Sequence, residues 1–247
     1  MKKFWTFSLL CLLGLSASTI TSKAASSEAG KLSLRRVVDT LFAVRDFSEV
    51  SISPDGRRVA WVESLTKANG MPSSNTAIYV QDLEGASPRR RLTAGNGVNN
   101  YSEQGLAWSP DSSRLAFLSD AGEVGQSDLY VTQITQGSPR RLTRLTGSVS
   151  NPQWSPDGKT LAFLYIKNAP RAPGPLEPMT PPSGVIEQRI YEQRLSIVDV
   201  TSGTVRQITP PDLYVYEYAW SPNSQHLVAT AAAGVAPTAP AGLLTAK

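Results

Sequence analysis

One pattern of hydrophobic and polar positions occurs four times along the chain. In each copy an apolar or aromatic residue precedes a Ser-Pro turn sequence, and a run of mostly apolar residues follows it. The copies read FSEVSISPDGRRVAWV (47–62), GLAWSPDSSRLAFLSD (105–120), NPQWSPDGKTLAFLY (151–165) and YEYAWSPNSQHLVAT (216–230). Proline presets the backbone of a type I β-turn, and Ser, Asp and Asn side chains cap it. The following runs are apolar on both faces, which predicts strands covered on both sides by neighbouring sheets.

The remainder of each unit repeats as well. A third strand is predicted in AIYVQDL (77–83), DLYVTQI (128–134) and RLSIVDV (194–200), and a fourth in RRRLTAG, RRLTRLT and VRQITPP. The turn prolines Pro54, Pro110, Pro156 and Pro222 lie 56, 46 and 66 residues apart. Four short antiparallel strands at a period of about 50 residues are typical of β-propeller blades. We therefore predict an all-β fold: a partial β-propeller of three complete four-stranded blades plus part of a fourth, after a short N-terminal helix.

A tryptophan stands two positions before three of the turn prolines. These residues are Trp108, Trp154 and Trp220, and Ile52 takes the same place in the first copy. Because the aromatic position recurs with the repeat, we interpret it as blade-to-blade packing rather than a surface for ligand stacking.

The Ser-Pro-Asp-Gly unit followed by a hydrophobic residue, Ala and Phe resembles the propeller repeat of TolB. It also resembles the N-terminal propeller of the prolyl-oligopeptidase family of serine peptidases. Two segments are similar to the acylaminoacyl-peptidase and dipeptidyl-peptidase-like branch of that family: 32–56 to its lead-in helix and first strand, and the insert between Tyr165 and Leu195 to its extended third blade strand. The resemblance covers about residues 32–230. It implies a propeller that sits over the active site of an α/β-hydrolase domain and admits only small peptides, although the sequence assigns no lining residues to that gate.

The resemblance leaves two interpretations of function. In the first, the chain is the non-catalytic propeller portion of a secreted or periplasmic serine peptidase. The parent enzyme would hydrolyse peptide substrates through an acyl-enzyme, in a hydrolase domain missing from this sequence. In the second, it is a TolB-like envelope propeller that binds another protein without enzymatic activity. A TolB-like protein would carry its extra domain before the propeller, where this sequence has only the segment 25–46, and this favours the first interpretation.

The N-terminal segment has the layout of a secretory signal peptide. Lys2 and Lys3 form a basic start, 4–15 is nearly all apolar, and small and polar residues follow, with cleavage expected after Ala24 or Ala25. The apolar run is too short to span a bilayer comfortably, although a retained N-terminal anchor is the alternative. We therefore expect a secreted or periplasmic protein with no membrane span after cleavage.

Four regions follow from this layout. They are a signal peptide (1–24), a lead-in segment with a short helix (25–46), an incomplete propeller (47–230) and an atypical Ala/Pro-rich tail (231–247). The tail AAAGVAPTAPAGLLTAK shows no third or fourth strand pattern, so the fourth blade is expected to have two strands. A frameshift, a premature stop or a gene-model error explains such a tail, and a flexible extension is the alternative. Open blade edges predict self-association or a protein partner.

Charge and cysteine content exclude several classes of function. The net charge of the whole chain is +4, but removal of 1–24, with its three lysines and no acid, leaves +1. This near balance does not indicate a nucleic-acid partner, and we interpret the run Arg89–Arg91 as a solvated turn. The single cysteine, Cys11, lies in the signal peptide, so the mature chain has no disulfide, thiolate metal site or thiol nucleophile.

The sequence offers no set of residues for serine-hydrolase chemistry. The G-x-S-x-G pentapeptide of α/β-hydrolases is absent. The closest match, Gly125 to Leu129 around Ser127, lacks the last glycine and opens a repeated strand. The single histidine, His226, aligns with Arg58, Arg114 and Thr160 of the other copies, so we expect it to be an exposed turn residue and not a base. We predict that this chain alone is inactive.

Metal and cofactor sites are not predicted either. Asp55, Asp111 and Asp157 recur at one turn position on separate blades, so each is expected to cap its own turn rather than join a carboxylate pair. One histidine excludes His-rich zinc sites, and no glycine-rich phosphate loop occurs. The loop 168–184 holds six prolines; it is either a disordered surface loop or a segment that reaches over a channel or contacts a partner.

Overall fold

Strands make up all the regular secondary structure in the part of the chain that the structure describes. The structure, a computed structural model, describes residues 45–66, 72–85, 87–94, 101–135, 138–169, 192–233 and 241–246. Within these ranges the strands are β1 (Phe47–Ile52), β2 (Arg58–Thr66), β3 (Pro72–Asp82), β4 (Arg90–Leu92), β5 (Glu103–Trp108), β6 (Arg114–Ser119), β7 (Asp128–Gln133), β8 (Arg140–Arg141), β9 (Gly147–Trp154), β10 (Thr160–Lys167), β11 (Gln193–Asp199), β12 (Val205–Gln207), β13 (Leu213–Trp220), β14 (Leu227–Ala233) and β15 (Ala241–Ala246). None of these residues forms a helix long and apolar enough to cross a membrane.

The strands form four antiparallel sheets, each made of strands consecutive in the sequence. Blade 1 is β1-β2-β3-β4, blade 2 is β5-β6-β7-β8, blade 3 is β9-β10-β11-β12 and blade 4 is β13-β14-β15. The first strands of successive blades lie against each other, β1 on β5 and β5 on β9. These meanders confirm the predicted all-β architecture of three four-stranded blades plus part of a fourth.

The Ser-Pro sequences form the predicted β-turns between the first two strands of each blade. The amide of the fourth turn residue donates to the carbonyl of the turn serine, for example Gly56 to Ser53 at 2.8 Å and Gly158 to Ser155 at 2.8 Å. The fourth residue has a positive φ in all four turns: +71° at Gly56, +58° at Ser112, +68° at Gly158 and +61° at Ser224. Glycine adopts this conformation without strain, whereas the two serines are held in it by contacts described below.

Each hydrophobic core is shared by two neighbouring blades. Alternate residues of the second strand point to opposite faces, so Ala116 and Leu118 pack toward blade 3 while Leu115 and Phe117 pack toward blade 1. The third cluster joins blades 3 and 4. Because both faces of an inner blade are buried, its second strand reads as an uninterrupted apolar run.

The tryptophans join successive blades, as the sequence predicted. Trp154 Nε1 donates to the Ala107 carbonyl at 2.9 Å. Trp108 and Trp220 make the same bond to the blade before them, to Ser51 and Gln153, both at 3.3 Å. Each indole thus satisfies a carbonyl on the first strand of the preceding blade, which confirms the packing interpretation.

The fourth blade has one strand more than the sequence predicted. Residues 241–246 pair antiparallel with β14, from Leu227↔Ala246 to Ala232↔Ala241, and β14 itself continues to Ala233. The expectation of a two-stranded blade with no third strand in the tail was therefore wrong. Alanine and glycine have low intrinsic β propensity, and here the open edge of β14 supplies the hydrogen bonds that select the strand.

Several predicted features lie outside the described residues. These are the signal peptide, the lead-in segment with its short helix up to residue 44, and 170–191, which includes most of the proline-rich loop.

Candidate functional site

Each turn aspartate caps the turn in which it lies. Ser53, Ser109 and Ser155 donate a hydroxyl hydrogen bond to Oδ1 of the aspartate two positions on, at 2.5, 2.5 and 2.6 Å. The hydroxyl hydrogen bond lowers the pKa of each aspartate, and that of Asp111 falls to about 2. The carboxylates therefore stay ionised as turn caps, which confirms that interpretation.

The turns also link neighbouring blades, through serine hydroxyls and arginine side chains. Ser112 Oγ accepts a hydrogen bond from the Asp55 amide at 3.0 Å, and Ser224 Oγ accepts one from the Asp157 amide at 2.9 Å. Between these two joints, Arg114 Nη2 donates to the Gly158 carbonyl at 2.9 Å. Glycine and serine at the fourth turn position therefore alternate from blade to blade, and each serine supplies a hydroxyl that glycine cannot.

Ser127 and His226 do not form a nucleophile and base. Ser127 directly precedes β7 in blade 2, whereas His226 follows the turn of blade 4, where its amide donates to Ser221 Oγ at 2.9 Å. No hydrogen bond joins the two side chains among the described residues, and a general base must lie within hydrogen-bond reach of the proton that it takes. His226 is half-buried rather than exposed, and its Nδ1 is buried without a partner. The sequence predicted an exposed His226 side chain, and the side chain is instead half-buried.

A metal centre is not assembled in the described ranges either. Across them, no group of three or more His, Cys, Asp or Glu side chains is arranged to hold an ion. The acidic residues that are buried there have structural partners instead.

Among the described residues, Glu103 is one of two acids that are fully buried, together with Asp128. It is fully buried at the start of β5, where Oε1 accepts hydrogen bonds from Thr93 Oγ1 at 2.7 Å and from the Ala94 amide at 2.9 Å. Burial raises its pKa, and the Thr93 hydrogen bond opposes the rise. Its Oε2 has no hydrogen-bond partner. Glu103 thus fastens the connection from blade 1 to blade 2.

Asp128 does the same for the next connection. It is fully buried and accepts hydrogen bonds from Thr143 Oγ1 at 2.9 Å and from the Leu145 amide at 3.1 Å, and it pairs with Arg141. Thr93 follows Leu92, the last residue of β4, and Thr143 follows Leu142, the residue after β8. The role of these threonines was not predicted, although a Leu-Thr signal is visible in the repeated RRLT sequences.

The arginine run Arg89–Arg91 lies beside and within β4 rather than in a turn, although Arg89 and Arg90 are exposed as the sequence suggested. Arg89 Nη1 lies 2.7 Å from Glu63 Oε2, and its guanidinium lies 4.6 Å from the centre of the Tyr79 ring. Arg90 lies in β4 and donates to the Ile134 carbonyl of blade 2. Fourth-strand pairing and these partners hold the run in the fold, and neither can be inferred from local sequence.

Surface cavities lie between the outer strands of successive blades. One of about 570 Å³ is lined by residues of blades 1 and 2, including Arg58, Arg90 and Ile134. Another of about 470 Å³ occupies the equivalent place between blades 2 and 3, with Arg114, Arg140 and Val200. Arg140 donates to the Val200 carbonyl just as Arg90 does to Ile134. The cavities repeat with the blades, so they are features of the joints and not a single specialised site.

First strands of neighbouring blades are joined by a carboxylate. Glu49 of β1 accepts hydrogen bonds from the amides of Gly105 and Leu106, both at 2.9 Å. These amides belong to an irregularity in β5, where two residues face one residue of β6. Such bulges expose backbone donors that a strand would otherwise use in pairing.

Comparison with known proteins agrees with this architecture. Residues 47–169 match the family described as the TolB beta propeller domain. The chain carries a TolB-type β-propeller domain. The match covers blades 1 and 2 and the first two strands of blade 3.

Curated relatives of this TolB-type propeller include peptidases. The uncharacterized peptidase YuxL of Bacillus subtilis (strain 168) is 33% identical over 124 residues, which cover 50% of this chain and 18% of that protein. Dipeptidyl-peptidase 5 of Arthroderma otae is 29% identical over 141 residues, 52% of this chain and 19% of that protein. The chain thus aligns with about a fifth of the length of either peptidase.

Solved structures show the same fold at low sequence identity. An acylaminoacyl peptidase in complex with Z-Gly-Gly-Phe-chloromethyl ketone superimposes with a TM-score of 0.57 at 15% identity, over 83% of this chain and 32% of that one. A putative TolB from Agrobacterium tumefaciens superimposes with a TM-score of 0.52 at 20% identity, over 81% of this chain and 61% of that one. The TolB-type propeller is therefore related both to peptidase propellers and to TolB.

Proposed function

We propose that this chain is the non-catalytic propeller portion of a secreted or periplasmic serine peptidase of the prolyl-oligopeptidase type. The observation that carries the proposal is the 33% identity to a curated peptidase across the propeller repeats. The placement of Ser127 and His226 on different blades supports a non-catalytic role. In this proposal the blades control which peptides reach a hydrolase active site, and the hydrolysis is carried out by that other domain.

The repeat architecture supports a rigid gate. Adjacent blades are joined by a shared apolar core, an indole hydrogen bond and a turn contact, as at Trp154 and Arg114 between blades 2 and 3. Side chains locked at several points along each joint reorganise little when a peptide passes. Selection in such a gate rests on size rather than on specific contacts.

The coding DNA provides the direct test. Resequencing from codon 220 onward, with translation of all three downstream frames, is expected to reveal further blades and a G-x-S-x-G motif followed by an aspartate and a histidine. Downstream sequence with no hydrolase in any frame would remove the main support for the peptidase proposal.

A secreted or periplasmic location forms part of the proposal. It is supported by the basic start and apolar run of 1–24. Fractionation of expressing cells and N-terminal sequencing are expected to give an exported chain beginning at Ala25 or Ser26. An intact chain retained in the membrane fraction would indicate an uncleaved anchor instead.

The second candidate is a TolB-like envelope propeller that binds another protein. One observation favours it: this chain aligns with 61% of the putative TolB structure but with 32% of the acylaminoacyl peptidase. The DNA test separates the two, because the TolB-like candidate requires no hydrolase frame.

A further inference from the structure

Two tyrosines near the start of β13 have no counterpart in the other three blades. Tyr214 and Tyr216 stand six and four positions before the tryptophan of the blade-4 turn, Trp220. Counted in the same way from the turns of blades 1 to 3, these two positions hold small or polar residues, which are Asp46 and Ser48, Ser102 and Gln104, and Ser148 and Ser150. A side chain that every blade needed for its packing would recur with the repeat. The tyrosine pair is therefore an addition to the blade.

The position of Tyr216 belongs to the inner surface of the propeller. The first strand forms one edge of each sheet, and β1 lies on β5 and β5 on β9, so the first strands surround the centre of the blades. The Trp220 indole joins β13 to β9 in the same way. Gln104 holds the equivalent position in β5 and is exposed, although blades 1 and 3 pack on either side of it. The 53% exposure of Tyr216 is thus a property of this position and does not depend on whether another blade follows.

A β-bulge directs the Tyr216 side chain. The register of β13 on β14 shifts between Val215 and Glu217, which leaves Tyr216 as an extra residue in β13. Bulges re-aim a side chain and are common next to functional sites. Gln193 Nε2 of blade 3 donates to the Val215 carbonyl at 2.7 Å, and Val215 itself is fully buried. The backbone between the two tyrosines is therefore held in place by the neighbouring blade.

The two rings form one aromatic surface. Their centres lie 5.1 Å apart and their planes are tilted by 51°. Tyr214 is half-buried and supports the more exposed ring of Tyr216. Aromatic rings prefer tilted or offset contacts with other rings, so a third ring can join such a pair. Because the pair is already in place, little conformational freedom is lost when a ligand binds to it.

We infer that Tyr214 and Tyr216 bind an aromatic side chain of a peptide on the inner surface of the propeller. The inference rests on the proposed function, in which peptides pass the blades on their way to a hydrolase active site. It adds one specific contact to a gate that otherwise selects by size. Ser48 and Ser150 offer no ring at the equivalent positions of blades 1 and 3. At this register the aromatic side chain is therefore bound by blade 4 and not by the other described blades.

Peptide binding to the purified 247-residue chain tests this inference. The probes are two blocked tripeptides, acetyl-Gly-Phe-Gly-amide and acetyl-Gly-Ala-Gly-amide, each titrated against the chain by NMR, and the phenylalanine peptide is expected to bind more tightly. Tyr216→Ser installs the residue of blades 1 and 3 and should raise the dissociation constant of the phenylalanine peptide about tenfold. Tyr216→Phe keeps the ring and should bind like wild type. Gln104→Ser is the matched control, at the same register in blade 2, and should leave binding unchanged.

Three results would overturn the inference: no binding of the phenylalanine peptide, equal affinity for both peptides, or a loss in Gln104→Ser as large as in Tyr216→Ser. Circular dichroism checks that each variant keeps its strands. The DNA test of the proposed function is independent of this binding assay. A hydrolase downstream, together with binding that does not change in Tyr216→Ser, would overturn only this inference. Binding that requires Tyr216, with no hydrolase in any frame, would count against only the peptidase proposal.

Discussion

Trp154 provides the sharpest test of how the blades are held together. Trp154→Phe keeps an aromatic ring in the core between blades 2 and 3 but removes the 2.9 Å hydrogen bond to the Ala107 carbonyl. Leaving this part-buried carbonyl without its donor costs about 1–3 kcal/mol. Arg114 lies 4.5 Å from the centre of the Trp154 ring, a cation–π contact that contributes about 0.5–1 kcal/mol. Phenylalanine makes a weaker contact of this kind, so part of that contribution is lost as well.

We therefore expect Trp154→Phe to lower the free energy of unfolding by about 2 kcal/mol and Tm by about 4–8 °C for a chain of this size. Trp220→Phe is the matched control. Its hydrogen bond is longer, at 3.3 Å, and its side chain is only half-buried, so its loss should be about half as large. Urea denaturation and calorimetry measure both. If Trp154→Phe unfolds like the wild type, or if Trp220→Phe costs more, the indole bond does not hold the blades together.

Three further substitutions test other parts of the account. Asp111→Asn is expected to fold normally at neutral pH, because Asn223 already makes the same turn contacts in blade 4. Since the pKa of Asp111 is lowered to about 2, the wild type should lose stability between about pH 4 and 2, and the variant should not. Equal acid-denaturation curves for the two proteins would contradict this. Tyr218→Phe removes a buried hydroxyl that lies 2.5 Å from the Asn151 carbonyl and 2.8 Å from the Ala162 carbonyl, and should cost about 1–3 kcal/mol in urea denaturation, whereas an unchanged midpoint would count against it. Burial raises the pKa of Glu103, so its contribution to stability is present at low pH and is lost as pH rises through that pKa. The stability of Glu103→Gln relative to wild type should therefore increase from about pH 4 to pH 8. A stability difference that does not change with pH would refute this.

The repeat made most of the fold predictable. The turn proline, the apolar run and the tryptophan recur together, and each reflects a local rule: turn geometry, strand burial on both faces and blade packing. The third strand of blade 4 was not predicted, because pairing with the free edge of β14 selects β15 and its own alanine-rich sequence does not. A strand chosen by its partner leaves little signal in local composition.

The contacts between blades were less predictable than the blades. Serine at position 112 looks like a tolerated replacement for glycine in the turn, yet its hydroxyl holds the Asp55 amide of the preceding blade. Arg89 is exposed, as the sequence suggested, yet it also pairs with Glu63 and lies over the Tyr79 ring. Such contacts join residues that are distant in sequence, and a single sequence does not encode these distances in any periodic pattern.

A peptidase assay of the purified chain tests the central claim most directly. The account predicts no hydrolysis of short peptide or ester substrates above the buffer rate, and no labelling by a fluorophosphonate that modifies activated serines. Turnover that disappears in Ser127→Ala or His226→Ala, with circular dichroism unchanged, would show that this propeller carries a catalytic site of its own and would contradict the account.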